Sequence, residues 1–200
     1  MPQFNIKIDT DLKEGYQSGL LPQRNDKNLF YFESSSRSDL SKFKLSSENR
    51  RIINKTNNFT FEKISLSNFE YSPKLQKLLS SWVKELGWDF PTSSIKSIFT
   101  NHIFNYVYVW KNEKNEVVAY AICLISPSIS HVAYVFYCPS LSHSNLPIRL
   151  VLQVVIDSHE LNLKYCYLGR FSETNGLYKR NMPGFQYFVN KQWIEYNISR

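Results

Sequence analysis

Hydrophobic and polar residues between positions 131 and 190 follow a pattern that predicts strand, loop, long helix, strand, short helix and strand, in that order. Aromatic and β-branched residues form two runs of strand length, His131–Tyr137 and Lys164–Leu168. Between them, Leu146–Glu160 is apolar on most sides, which predicts a helix covered by other parts of the protein. Its one polar stripe consists of Arg149, Gln153, Asp157 and Glu160. Strands joined by such a crossover helix usually lie side by side, so we expect the two runs to pair in parallel.

A polar and basic segment, YLGRFSETNGLYKRNMPGFQ, begins at the end of the second of these strands. Ligands of open α/β sheets usually bind where parallel strands end. We therefore expect the functional site in or beside this segment.

The rest of the chain adds two helices and a hairpin before this region, and a polar N-terminal part. Apolar residues recur at helical spacing between a capping Ser72 and Gly87, which predicts a helix there. The other expected elements are a helix over Ile95–Ile103, strands at Tyr106–Trp110 and Val117–Ser126, a final strand at Tyr187–Tyr196, N-terminal strands at Leu29–Phe32 and Asp39–Phe43, and a basic helix beginning near Ser46 or Ser47. Together they predict an α+β fold: a mixed sheet with flanking helices over residues 71–200, after a small N-terminal region over residues 1–70.

Composition and charge narrow the function classes. The chain is 42% hydrophobic and carries a formal net charge of +7, which favours a polyanionic partner such as nucleic acid. Its three cysteines form no CxxC pair and are not spaced with histidines as metal ligands, which predicts reduced thiols in the cytoplasm and no metal site. The longest apolar run, Val117–Ile125, is too short to span a bilayer, and the N-terminus has no signal-peptide pattern, so we expect no membrane partner.

Three short motifs carry a resemblance to a known family. They are Tyr134-Val135-Phe136-Tyr137 followed by Pro139, then Tyr167-Leu168-Gly169, then Tyr178-Lys179 before an aromatic run. In these motifs the chain resembles the C-terminal catalytic half of the arginyl- and leucyl-tRNA–protein transferases. Two positions depart from that family: Cys138 stands where the family usually has Asp, and Arg170 stands where it usually has Tyr.

The N-terminal part follows the order of the family's segments more loosely. The matching segments are Ser18-Gly19, Phe30-Tyr31, Arg37–Phe43 and Ser46–Arg51. Ser34, Ser35 and Ser36 occupy the place where the family uses cysteines for a metal or iron–sulfur site. The resemblance therefore implies that any metal or redox function of this region has been lost.

The resemblance implies a GNAT-like fold and transfer of an amino acid from aminoacyl-tRNA to the N-terminal α-amine of a protein, without a cofactor. Whether arginine or leucine is transferred is left open. The ester is already activated, and about a tenth of an α-amine with a pKa near 8 is neutral at pH 7, so no strong general base is needed. The enzyme has to position the reactants, stabilise an oxyanion and route a proton to the ribose hydroxyl.

Catalysis is assigned first to Tyr178 and Lys179. A tyrosine can donate a hydrogen bond to a developing alkoxide, and a lysine can bind a phosphate or an oxyanion. Glu173 is the nearest carboxylate and would orient the incoming amine or recognise a cationic amino acid. In the alternative interpretation Tyr178 packs, Lys179 is solvated and Glu173 only lies at a helix N-terminus.

Substrate binding is assigned to Tyr137, Tyr167 and Arg170, which belong to the matched strand ends. RNA binding is assigned to basic residues near the motifs, interleaved with aromatic ones: Arg37, Arg50, Arg51, Lys179 and Arg180. The histidines His102, His131 and His159 are expected to be structural.

Two other functions stay open, a CoA-dependent N-acetyltransferase and a non-catalytic relative that binds RNA or protein. GNAT enzymes that use CoA hold its pyrophosphate on backbone N–H groups of a glycine-rich loop before the long helix. The corresponding segment here, Pro139–Pro147, contains no glycine, and Pro147 has no N–H to donate. We therefore expect that the protein does not use acetyl-CoA.

Overall fold

The computed structural model of the chain describes residues 3–5, 9–23, 29–100, 103–172, 174 and 176–196. Its strands are β1 (Gln3–Asn5), β2 (Leu20–Pro22), β3 (Leu29–Phe32), β4 (Ser35–Asp39), β5 (Thr60–Ser65), β6 (Tyr106–Lys111), β7 (Val117–Ile125), β8 (Ile129–Tyr137), β9 (Tyr165–Arg170), β10 (Phe185–Val189) and β11 (Gln192–Glu195). Its helices are α1 (Asp9–Gln17), α2 (Ser47–Lys55), α3 (Pro73–Glu85), α4 (Thr92–Thr100) and α5 (Leu146–Glu160). Short 3-10 helices cover Leu40–Lys42, Leu66–Asn68, Pro139–Leu141 and Leu177–Asn181.

A large mixed sheet is the centre of the fold. Its eight strands lie in the order β11-β10-β4-β9-β8-β7-β6-β5. The pair β8 and β9 is parallel, and the other neighbours are antiparallel. The parallel pairing confirms the prediction for the two strands that flank the long helix. Strands β1, β3 and β2 form a second, small antiparallel sheet. The predicted α+β fold with a mixed sheet and flanking helices is confirmed.

Helices cover both faces of the large sheet. One apolar cluster joins the sheet to α1, α3 and α4, through residues such as Tyr16, Leu79 and Ile98. A second cluster joins the opposite face to α2 and α5, through Ile52 and Leu150. Strands β8 and β9, which carry two of the matched motifs, therefore lie in the middle of three layers.

The long helix α5 has the predicted bounds. Leu150, Val151 and Val154 are buried against the sheet. Its polar stripe is partly enclosed as well, because Asp157 Oδ2 accepts a hydrogen bond of 2.7 Å from the Tyr108 hydroxyl of β6. Among the described residues, α5 included, no helix combines the length and apolar character needed to cross a membrane.

Two helices begin where the sequence predicted. Ser46 caps α2 in a reciprocal capping box with Asn49, in which each side chain accepts a hydrogen bond from the other residue's backbone N–H. Ser72 caps α3, and its Oγ accepts a hydrogen bond of 3.2 Å from the backbone N–H of Leu75.

The predicted strand Asp39–Phe43 is wrong. Strand β4 lies just before it and ends at Asp39. The chain then turns into a 3-10 helix, because Asp39 Oδ1 accepts a hydrogen bond of 3.1 Å from the backbone N–H of Ser41. All residues of β4 are polar, yet all are buried between β9 and β10. The hydropathy pattern of the sequence therefore could not predict this strand.

The single final strand predicted at Tyr187–Tyr196 is also wrong. The segment belongs to the hairpin of β10 and β11, and β10 begins before Tyr187. Asn190 and Lys191 form its turn with φ angles of 50° and 61°. Two successive left-handed residues give a turn whose twist matches that of paired strands.

The first 70 residues contribute to both sheets. β4 and β5 lie in the eight-stranded sheet, whereas β1, β2 and β3 form the small one. The division at residue 70 stays a prediction.

Candidate active site

A cleft opens between β8 and β9. The two strands pair only at their beginnings, with Ile129 opposite Tyr165 and His131 opposite Tyr167 as the first and last registered pairs. β8 nevertheless continues to Tyr137. Both strands carry a bulge at this point, because β8 shifts register against β7 and β9 shifts register against β4. Bulges bend a strand and are common beside active sites. We call this opening the β8–β9 cleft.

A cavity of about 550 Å³ lies at the mouth of the cleft. It is bounded by the end of β8, the N-terminus of α5, the 3-10 helix Leu177–Asn181 and the segment after α3. Its lining residues are Trp88, Val135, Tyr137, Ser142, Ser144, Pro147, Ile148, Gly176 and Tyr178. Two of the three matched motifs therefore contribute to this cavity, the first through Val135 and Tyr137 and the third through Tyr178.

The side chain of Lys179 lies beside the cavity-lining Gly176, where a built Cβ would be 3.4 Å from Lys179 Cδ. Its Nζ donates a hydrogen bond of 2.6 Å to the carbonyl oxygen of Arg170, at the end of β9. A Cβ built on Gly169 would lie 3.9 Å from that Nζ. Loss of hydration in this position lowers the pKa of Lys179 to about 8. The amine is still mostly cationic at neutral pH.

Gly169 is required by the bulge. Its φ of 75° is a left-handed conformation, which a residue with a side chain rarely adopts within a strand. A Cβ at this position would lie at ordinary contact distance from His131 and Lys179, so glycine is required here by the backbone conformation and not by lack of space.

His131 is the functional candidate that sequence reasoning missed. It is 4% exposed, and its Nδ1 shares a hydrogen bond of 2.8 Å with the Tyr16 hydroxyl. Its Nε2 is buried and has no hydrogen-bond partner in the part of the chain that the structure describes. That nitrogen lies 3.7 Å from the Cβ position of Gly169. Burial, with a smaller contribution from Lys179, lowers the pKa of His131 to about 3, so the ring is neutral.

Tyr178 and Tyr137 both line the cavity. Burial raises the pKa of Tyr178 far above its usual range, with a smaller contribution from Tyr137. The phenol therefore keeps its proton and can donate it in a hydrogen bond. The rings of Trp88 and Tyr137 pack edge to face, with centroids 5.5 Å apart.

The other predicted substrate and catalytic residues lie in different surroundings. Tyr167 is fully buried in the core, where its ring contacts Tyr16 at a centroid distance of 4.7 Å. Arg170 is exposed and forms an ion pair of 3.3 Å with Glu33. Glu173 and His102 lie outside the described residues.

The structure places three of the predicted RNA-binding arginines on adjoining elements. Asn49 Nδ2 of α2 donates a hydrogen bond of 3.0 Å to the carbonyl oxygen of Asn181, which connects α2 to the end of the 3-10 helix. The exposed residues Arg50, Arg51 and Arg180 lie on these two elements. We call these three arginines the basic rim. Arg51 also donates a hydrogen bond of 3.2 Å to Asn145 Oδ1, beside the cavity.

Arg37 lies apart from the basic rim, inside the protein. It is 7% exposed, and its Nε donates a hydrogen bond of 2.8 Å to Gln186 Oε1. Its guanidinium stacks on Tyr165 and Trp193, at 3.7 and 4.1 Å from the ring centroids. These contacts leave little of its surface for a phosphate, so we assign Arg37 a structural role instead of RNA binding.

The N-terminus of α5 offers few free backbone donors to an anion. The backbone N–H of Leu146 donates to Ser144 Oγ at 3.1 Å, and that of Arg149 donates to the carbonyl oxygen of Asn145 at 3.0 Å. Pro147 between them has no N–H. A pyrophosphate cradle of the kind used for CoA would need these donors.

Potential metal ligands do not cluster in the part of the chain that the structure describes. Across the described ranges, no group of three or more His, Cys, Asp or Glu side chains could hold a metal ion.

Comparisons of the fold identify related architectures. The C-terminal domain of a putative lysylphosphatidylglycerol synthetase from Agrobacterium fabrum is similar over 84% of this chain and 54% of that one, with 14% identity and a TM-score of 0.51. L-PGS from Bacillus licheniformis is similar over 90% of this chain and 58% of that one, with 14% identity and a TM-score of 0.52. This chain thus spans little more than half the length of either.

A third similar structure is the GCN5-related glucosamine N-acetyltransferase region of a fungal multi-domain GH3 β-N-acetylglucosaminidase. It matches 94% of this chain and 23% of that one, with 13% identity and a TM-score of 0.53. No protein-family model matches the sequence, and no curated protein matches it. At these identities the likeness establishes the architecture alone, and that architecture is the GNAT-like fold.

Proposed function

We propose that this protein transfers an amino acid, arginine or leucine, from aminoacyl-tRNA to the N-terminal α-amine of a protein in the cytoplasm. The observation that carries the proposal is the β8–β9 cleft, where a cationic Lys179 bonds to the end of β9 next to the cavity-lining Gly176, while the N-terminus of α5 offers few free amides to the pyrophosphate of CoA.

The cleft can supply the three requirements of ester aminolysis. The strand edge of β8 beyond His131 is not paired with β9 and can position an extended ligand by backbone hydrogen bonds. Lys179 stabilises negative charge on the ester carbonyl oxygen. Tyr178, which stays protonated, donates to the ribose oxygen as it leaves.

The basic rim supports an RNA donor. Arg50, Arg51 and Arg180 lie on two connected elements, and Arg51 bonds to Asn145, next to the cavity-lining Ser144. There they would contact the phosphates next to the aminoacylated end. The aromatic residues Trp88 and Tyr137 at the cavity would stack on a terminal base. The name lysylphosphatidylglycerol synthetase, borne by one similar structure, describes an aminoacylated product and agrees with this class of chemistry.

The test is a transfer assay. The protein is incubated with labelled Arg-tRNA or Leu-tRNA and peptides that begin with Asp, Glu, Arg or Lys, and in parallel with labelled acetyl-CoA. We expect label on the peptide from one aminoacyl-tRNA and none from acetyl-CoA.

A matched pair of variants assigns the reaction to the cleft. Lys179→Met removes the amine at the site, whereas Lys96→Met removes an exposed amine on α4. We expect loss of transfer in the first variant only. Acetylation of the peptide without aminoacyl transfer would identify an acetyltransferase, and tRNA binding without any turnover would identify a non-catalytic relative.

A further inference from the structure

We propose that His131 is a further catalytic residue, whose Nε2–H binds the carbonyl oxygen of the aminoacyl ester together with the amine of Lys179. This inference rests on the proposed function and names a group that both the sequence motifs and the fold comparisons leave unassigned.

The position of the ring supports this role. His131 is the last residue of β8 that is registered with β9, so its side chain lies where the two strands begin to separate. A Cβ on Gly169 would lie 3.7 Å from His131 Nε2 and 3.9 Å from Lys179 Nζ, which places both nitrogens on the same side of that glycine. A buried nitrogen without a partner is costly in a folded protein unless a ligand or water satisfies it. Here the neighbouring cation indicates an oxygen atom with negative charge.

Tyr16 determines which nitrogen of the ring carries the proton. The Tyr16 hydroxyl is fully buried and 2.8 Å from His131 Nδ1. A phenol is the better donor and an imidazole nitrogen the better acceptor, so the hydroxyl donates and Nδ1 accepts. The proton of the neutral ring then resides on Nε2, which lies 3.7 Å from the Cβ position of Gly169. Tyr16 is a positioning residue in this arrangement, because it acts through His131.

The surroundings of the ring keep it neutral. Its neighbours include the rings of Tyr16 and Phe104, with centroids 5.3 and 6.3 Å away, and the Lys179 cation opposes a second positive charge. A neutral Nε2–H can donate a hydrogen bond to an oxyanion but does not give up its proton at ordinary pH. The proton that the reaction moves therefore comes from the attacking amine and not from His131.

The reaction balances on this basis. The neutral α-amine of the acceptor attacks the ester carbonyl carbon, a C–N bond forms, and the π electron pair of the carbonyl moves onto its oxygen. That oxygen accepts hydrogen bonds from His131 Nε2–H and Lys179 Nζ. When the electron pair on that oxygen re-forms the carbonyl double bond, the bond between the carbonyl carbon and the ribose oxygen breaks. The proton lost by the amine then ends on the ribose oxygen, which becomes a hydroxyl. The products are an amide and uncharged tRNA.

Two substitutions separate a catalytic role from a structural one. In His131→Asn the amide occupies the place of Nδ1, keeps a partner for Tyr16 and leaves the Nε2 position empty. In His131→Gln the amide nitrogen reaches toward the Nε2 position. A donor role predicts that transfer falls about 10²-fold in His131→Asn and less than 10-fold in His131→Gln, with tRNA affinity unchanged in both. A role limited to the hydrogen bond with Tyr16 predicts the opposite order.

The outcomes distinguish this inference from the proposed function. If wild type transfers the amino acid and the Asn variant is at least as active as the Gln variant, the inference is wrong and the function stands. If wild type transfers no amino acid, the proposed function and the role of His131 are both wrong. His159→Gln, at an exposed residue of α5, is the matched control and should keep full activity.

A spectroscopic measurement covers the case in which the variants fail to fold. In wild-type protein labelled with ¹⁵N-histidine, one ring should show the Nε2–H tautomer from pH 5 to pH 9. Its Nε2 chemical shift should change when 3′-arginylamino- or 3′-leucylamino-3′-deoxyadenosine is added. In this analogue an amide takes the place of the ester, so the amide carbonyl oxygen should accept the hydrogen bond from Nε2–H. The opposite tautomer, or a signal that the bound probe does not move, would overturn the proposal.

Discussion

The two edges of β9 differ sharply. On one edge β9 is paired with β4 from Tyr165 to Arg170, and the Ser36 hydroxyl adds a hydrogen bond of 2.8 Å to the carbonyl oxygen of Gly169. On the other edge its pairing with β8 ends at Tyr167, and the cleft begins. One strand therefore has a closed edge that holds the sheet together and an open edge, which is not paired with its neighbouring strand beyond Tyr167.

The cations beside these edges differ in the same way. Arg37 on the closed side has an amide acceptor and two aromatic faces. Lys179 on the open side has the carbonyl oxygen of Arg170 and a lowered pKa. Burial with satisfied partners is typical of a structural charge, whereas a poorly hydrated cation at a cleft is typical of a catalytic one.

The largest effect is expected from removing the cation at the open edge. Lys179→Met should lower transfer on the order of 10²- to 10³-fold, since an oxyanion donor is removed. The same change should raise the melting temperature at pH 7 by a few degrees, because the folded protein no longer holds a dehydrated charge. Initial rates and thermal unfolding are measured on the same preparations. A loss of stability that parallels the loss of activity would return Lys179 to a packing role.

The stability of wild type should depend on pH through the same residue. A folded-state pKa of about 8 lies below the usual 10.4 of lysine, so the unfolded chain binds more protons between these values. The contribution of Lys179 to the free energy of unfolding should therefore increase as the pH rises through that window, and this increase should be missing in Lys179→Met. Urea unfolding of both proteins at pH 7.5 and pH 10 tests the difference, and parallel curves would contradict it.

A smaller effect is expected from the phenol across the cavity. Tyr178→Phe should lower transfer about 10²-fold, because the leaving ribose oxygen no longer has this hydrogen-bond donor. The melting temperature should change little, since the ring is retained. Tyr165→Phe on the far end of β9 provides a matched control. Equal rates for Tyr178→Phe and wild type would remove the phenol from the reaction.

On the closed edge the expected effect falls on stability alone. Arg37→Met should lower the free energy of unfolding by about 1–3 kcal/mol, because Gln186 is left without its partner in a buried position. The salt dependence of tRNA binding should not change. A flatter dependence in this variant would instead support the RNA-binding role predicted from the sequence.

The smallest effect is expected at the basic rim. Replacing Arg50 and Arg180 together by Ala should weaken tRNA binding and flatten its dependence on salt, by roughly 0.7–0.9 in log–log slope for each phosphate that is no longer neutralised. Binding is measured between 50 and 200 mM salt by fluorescence anisotropy. A slope equal to that of wild type would place the RNA elsewhere.

The sequence predicted the central part of the fold well. The bounds of α5 and the parallel pairing of its flanking strands follow from hydropathy, and the N-caps Ser46 and Ser72 follow from local hydrogen bonding. These features depend on residues close together in the chain, which a sequence displays directly.

The remaining features depend on residues far apart. His131 lies in an aromatic run and looked structural, because its partner Tyr16 is 115 positions away. Arg37 looked exposed because charge usually indicates a solvated surface, yet contacts from β9, β10 and β11 enclose it. Such surroundings arise only when distant segments are assembled.

Strand β4 has a consequence for how the chain assembles during synthesis. Its neighbours in the sheet, β9 and β10, lie more than 120 positions later, so the ribosome releases β4 long before either partner exists. An apolar strand with two unpaired edges would aggregate during that interval. The sequence Ser-Ser-Arg-Ser-Asp avoids this hazard, because its hydroxyl and charged side chains are compatible with water. Strand β4 is buried in the folded protein, yet it has the polar residues of an exposed segment. This composition suits a segment that stays in contact with water until β9 and β10 have been synthesised.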